Sequence, residues 1–155
     1  MNMRAERNRA SGPYPRKEDT ASQEERWRKN LKEAFSTPNY AEKILRFDRM
    51  EMDEFKEFNQ KLKDFMKQQA GKITFSRMRK IYEMIKGAKS ENDLLFTVPR
   101  LAYIVGREER DRDAIGLVVT LLSDAILAMQ TKQDFKGIQK CAEAMVAYQK
   151  YYSDK

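Results

Sequence analysis

The sequence contains no histidine, one cysteine (Cys141), six glycines and four prolines among 155 residues. Each scarcity removes a class of chemistry or fold. Without histidine, neither a Ser-His-Asp nor a Cys-His catalytic site can be assembled, and there is no imidazole to ligate a metal. One cysteine excludes a disulfide framework, a cysteine zinc cluster and an iron–sulfur centre held by four thiolates of one chain. Glycine and proline are too few for a fold of many tight hairpins. Long hydrophobic runs are also missing. The most apolar stretch, Ile115 to Met129, is interrupted by Gly116, Thr120, Ser123 and Asp124. It falls short of the ~20 apolar residues of a bilayer span. The first thirty residues are polar and charged, with no apolar segment of the kind found in a secretory signal. With the lone cysteine, this leads us to expect a protein of the reducing cytoplasm that has no membrane partner.

Helical periodicity is what remains. Charged residues make up 35% and hydrophobic residues 41% of the chain, a balance that suits a globular core with a heavily solvated surface. Trp27, Leu31, Ala34 and Phe35 form one stripe of a short helix starting near Ser22 and stopped by Thr37-Pro38. A long charged helix, in one or two parts, carries Ile44, Phe47, Phe55, Phe58, Leu62, Phe65 and Met66 on a core face and stops at Gly71. Thr74 caps a helix whose inward side is Met78, Ile81, Tyr82 and Ile85, and Gly87–Ser90 is a loop. Asn92 or Asp93 caps the next, with Leu94, Leu95, Val98, Leu101, Ala102 and Val105 inward; Pro99 should kink or divide it, and Gly106 ends it. Asp113 opens the most apolar helix and Asp134 the last. No segment alternates with period two. The expected fold class is all-α, a compact bundle of five to six helices. Residues 1–37 read as a basic, partly disordered N-terminal extension with a short helix, and 38–155 as the helical bundle domain.

The charge is unevenly placed. Lys+Arg number 31 and Asp+Glu 24, a net +7, and the twenty residues Gly71–Ser90 alone carry +5. At about 100° per residue, Arg79 and Arg77 flank the buried side of the helix in that segment, and Lys80 lies opposite it. Free backbone N–H groups at Thr74, Phe75 and Ser76 favour phosphate at the helix start. Such a surface suits a polyanion.

These same residues carry a resemblance. Lys72-Ile73-Thr74-Phe75-Ser76-Arg77-Met78-Arg79-Lys80-Ile81-Tyr82 resembles the opening motif of the small subunit of the type III-A CRISPR (Csm) complex. Val98-Pro99-Arg100-Leu101-Ala102-Tyr103-Ile104-Val105-Gly106-Arg107 is similar to that family's Pro-Lys-Leu-Ala-Tyr segment. Asp134-Phe135 and Glu143-Ala144-Met145-Val146-Ala147-Tyr148 match its last helix, so the likeness spans roughly residues 72–152. Arg77, Ile104 and Val105 depart from the family pattern. The resemblance implies a helical protein present in several copies. It would lie along guide RNA and target RNA, contact other Csm subunits and additional copies of itself, and have no nuclease centre, cofactor, metal or small-molecule substrate. Lys72, Arg77, Arg79, Lys80, Arg100 and Arg107 are the expected RNA-binding residues, with Arg79 and Lys80 foremost.

Three other readings stay open. The same charge pattern fits a helical adaptor for an acidic protein, which salt-dependent RNA retention would separate from an RNA binder. The small subunit of the related type III-B complex is also helical and basic. A carboxylate enzyme would have to use Glu108, Glu109, Asp111 and Asp113, a run that alternates with arginines in the manner of a solvated loop. Trp27 is expected to anchor its helix, Cys141 to be a small buried hydrophobe, and Tyr103 and Tyr148 to pack rather than stack on nucleotides.

Overall fold

Amphipathic stripes bury themselves against one another, and the order in which they do so defines the molecule. The computed structural model describes residues 19–153. The N-terminal stretch expected to be disordered lies outside them. The described residues form seven helices and no strand: α1 (Asp19–Phe35), α2 (Tyr40–Leu45), α3 (Met52–Ala70), α4 (Phe75–Lys86), α5 (Glu91–Arg107), α6 (Arg112–Ala128) and α7 (Lys132–Tyr152). The all-α reading holds, but there are seven helices rather than five to six. The added element is α2, which turns at Arg46–Arg49 instead of running on into α3.

The ends of the helices follow local hydrogen-bond chemistry. Ser36 takes the left-handed conformation (φ 58°), with Thr37 N–H donating to the Lys32 carbonyl and Ser36 N–H to that of Glu33. This is a Schellman ending, and it closes α1 just before Pro38. Thr74 accepts from Arg77 N–H at 3.0 Å and caps α4 as expected. The other caps sit earlier than expected. Ser90, not Asn92 or Asp93, caps α5 by accepting from Asp93 N–H at 3.1 Å. Thr131 caps α7, and Asp134 returns the bond from the third helical position in a capping box. In each case a hydroxyl accepts from the N–H of the aspartate three residues on; the Asp134 carboxylate accepts from Thr131 N–H in return, whereas that of Asp93 accepts from Lys89 N–H.

Pro99 does not divide α5, which is continuous from Glu91 to Arg107. The proline lies on the exposed side, where its missing N–H removes one helical hydrogen bond without interrupting the core. Gly106 likewise falls inside this helix. The buried side of α5 is Leu94, Thr97, Leu101 and Ile104, whereas Leu95 and Ala102, expected inward, face out.

Helix α6 is central. Ten of its seventeen residues are buried, from Ala114 to Ile126, as its nearly uniform apolar character requires. It packs against α1, α2 and α5, while α7 packs against α3, α4 and α2. The phenylalanine stripe of α3 is core, with Phe35 stacked on Phe58 at 5.2 Å and against Phe65 at 5.4 Å. Trp27 anchors α1 on α6, and Cys141 is fully buried. No helix among the described residues is long and apolar enough to cross a membrane.

Polar clamps join the first two helices to the rest. Arg28 and Tyr40 converge on Asp124 of α6, the tyrosine hydroxyl donating at 2.7 Å. At the α2–α3 corner, Arg46 and Lys43 donate to Glu54 at 2.7 and 2.9 Å and hold its carboxyl down to about 2. A depressed carboxyl stabilises the fold above its unfolded value near 4.5, and that contribution is lost as pH falls through about 2. Glu54→Gln should therefore melt below the parent protein by a constant interval above pH ~5. The interval should shrink progressively toward pH ~2 in thermal melts followed by circular dichroism. An interval independent of pH would show that the ion pair contributes nothing.

Candidate nucleic-acid interface

The cations of α4 are displayed by its own amphipathic pattern. Met78, Ile81 and Ile85 are buried, so Arg79 and Lys80 project outward on either side of the exposed crest. Two grooves flank this crest. Between α4 and α5 lies a groove of about 390 Å³ walled by Lys80, Arg100 and Arg107, with Met84, Tyr103 and Ile104 among its lining and no carboxylate. Between α4 and α7 lies a second, of about 380 Å³, lined by Arg79, Lys86, Lys150, Phe75 and Tyr82, with Glu83 its one acid. Here Lys150 stands over the Phe75 ring at 5.0 Å and Lys86 over Tyr82 at 5.8 Å.

The six residues expected to bind RNA fall into three places. Lys80, Arg100 and Arg107 share the α4–α5 groove. Arg79 faces the α7 side, with Glu83 of the next turn 3.5 Å away. Lys72 and Arg77 line a cleft of about 780 Å³ at the start of α4, together with Glu108, Arg110 and Asp111. Arg77 is ion-paired with Glu108 there, which neutralises much of its charge toward a ligand. Mixed signs make that cleft a weaker phosphate site than the groove walled only by cations.

Two features were missed in the sequence. Tyr103 is not packed but 65% exposed, with the Arg107 guanidinium 5.6 Å from its ring centroid. Tyr148 does pack, donating to Asn59 at 2.8 Å. Lys150 joins Arg79 and Lys86 only because α7 lies beside α4. Lys86 was visible within the basic segment, but Lys150 carries no local signal.

The acidic run has other partners. Asp113 accepts from the Trp27 indole N–H at 2.8 Å and from Arg26 at 2.6 Å, and the first of these bonds leads in holding its carboxyl below the usual range. Glu108 is held by Arg77. No group of three or more carboxylates or thiols among the described residues is placed to hold a metal ion.

The family model Csm2 Type III-A matches residues 51–155, a span that begins one residue before α3 and includes both grooves. No curated protein and no solved structure gives a significant match. A match over two thirds of the chain, on an all-helical bundle, establishes the relationship: the chain belongs to the Csm2 Type III-A family, the small subunit of the type III-A CRISPR Csm complex.

Proposed function

We propose that this subunit binds RNA through its phosphate backbone, lining the guide RNA–target RNA duplex and scaffolding the Csm complex for antiviral interference. Family membership carries with it assembly with other Csm subunits and with copies of itself. The observation that supports RNA as the ligand is the α4–α5 groove, where three cations from two helices converge with no acid among the lining residues. In this reading the subunit is structural and contributes no catalytic group. Sequence independence follows from the assembly, because guide pairing carries specificity and the protein must accept any sequence.

The test is filter retention of RNA by the purified full chain across a salt series. Replacing Lys80, Arg100 and Arg107 with alanine should lower the salt slope by two to three units, at about one unit per phosphate contact. The triple variant should bind RNAs of unrelated sequence equally weakly. Lys61→Ala with Lys63→Ala, in a segment with no net charge, should change little. Equal losses from the two sets would place the RNA elsewhere. No retention by the parent protein at low salt would favour the reading as an adaptor for an acidic protein.

A further inference from the structure

Helix α5 presents a mixed stripe to solvent. Phe96, Arg100, Tyr103 and Arg107 recur at intervals of four, three and four, so they lie along one face. Phe96 is 71% and Tyr103 65% exposed. Large aromatic rings on the open face of a helix, with a cation between them, are not explained by the core, which takes the neighbouring side of α5. A groove for phosphates alone would need no apolar floor, yet Met84, Pro99 and Ile104 line this one.

We propose that Tyr103 is a stacking platform for an unpaired base of the RNA held in the α4–α5 groove, an inference that rests on the RNA-binding reading above. Arg107 lies over the ring and Arg100 precedes it by one turn, so cations stand at both ends of the tyrosine along the helix. The two arginines are seven residues apart, about 10.5 Å along the axis. Lys80 closes the groove from α4. Charge without carboxylates selects a polyanion, and a flat exposed ring selects one that carries planar groups between its charges. A nucleic-acid strand has that composition and an acidic peptide does not. Bases within a continuous duplex have both faces covered by their neighbours, so the base that meets Tyr103 is one outside the paired stack. Stacking on tyrosine is indifferent to base identity, which agrees with a subunit that accepts any sequence.

The experiment compares three probes bound by the purified full chain: a single-stranded oligoribonucleotide of mixed sequence, the same ribose-phosphate chain lacking bases, and a fully paired RNA duplex. Tyr103→Leu should weaken binding of the first by about tenfold, within the range of one base–aromatic stack. It should leave the abasic chain and the duplex unchanged, and the salt slope unaltered, since no charge is removed. Tyr103→Phe should bind all three as the parent does. Tyr103 is exposed, so both variants should keep the parent's circular dichroism. Equal affinity of Tyr103→Leu and parent for the single strand overturns the inference, as does an equal loss on the abasic chain. Unchanged RNA binding with altered sedimentation of the free protein also overturns it and assigns the stripe to a second copy of the chain. The RNA-binding reading fails separately, if the parent retains none of the three probes at low salt.

Discussion

Gly137→Ala should destabilise the protein by about 3 kcal/mol or more, the upper end of overpacking costs. A β-carbon at this position would lie 2.1 Å from the Leu45 carbonyl oxygen and 2.7 Å from its carbon. Alanine in place of glycine within a helix would otherwise gain about 1 kcal/mol. The steric term is larger and opposite, because a backbone carbonyl cannot rotate out of the way as a side chain can. Either α2 lifts from α7 or α7 shifts in its packing. At ~2–4 °C per kcal/mol for a protein of this size, the melting temperature should fall by about 10 °C in thermal circular dichroism. Gly106→Ala is the matched control, since it also lies in a helix but has nothing within 4 Å of its β-carbon position. It should be neutral or slightly stabilising. If both variants melt alike, the close approach of α2 to α7 is not a constraint on the fold.

Trp27→Ala should be comparably severe, at about 3–5 kcal/mol for deleting a large buried aromatic side chain. Trp27 is only 5% exposed, and its ring lies against Gly116 of α6, where a β-carbon would come within 2.4 Å of it. The substitution also removes the indole donor to Asp113. Gly116→Ala in the parent background should likewise destabilise, because the added methyl meets the ring. With Trp27→Ala already present, the same change should be neutral or favourable: the ring is gone and alanine is the better helix former. The two costs would then fall well short of adding, the signature of residues in contact. Additive melting shifts would show that Trp27 and Gly116 do not share one packing site. Gly137 permits no such rescue, since its obstacle is main chain.

Several conclusions needed no tertiary structure. The missing histidine and the lone cysteine limited the chemistry whatever the fold. Apolar spacing located six of the seven helices, since Leu31, Leu62, Ile81, Leu101, Leu122 and Ile138 each sit in a stripe that only a helix brings to one side. The concentration of charge in Gly71–Ser90 drew attention to α4, and the motifs there matched the family later found over 51–155. The spacing left open whether the segment from Ile44 to Met66 was one helix or two, because Ile44 and Phe47 continue the periodicity of α3 across a turn that carries neither glycine nor proline.

Helix α5 shows why periodicity alone could not go further. Leu94, Leu101 and Ile104 form one apolar stripe, while Leu95 and Ala102, seven residues apart, form another beside it. Helical spacing is the same for both, so it cannot choose which is buried. The choice rests on α6, which covers the first stripe and leaves Tyr103 and Phe96 in solvent. The grouping of the cations has the same origin. Lys80 meets Arg100 and Arg107, and Arg79 meets Lys150, because α5 and α7 pack on opposite sides of α4. Arg77 is drawn instead to Glu108, thirty-one positions away. Local sequence fixes each helix and its faces, but partners so distant along the chain are brought together only by burial of the shared core.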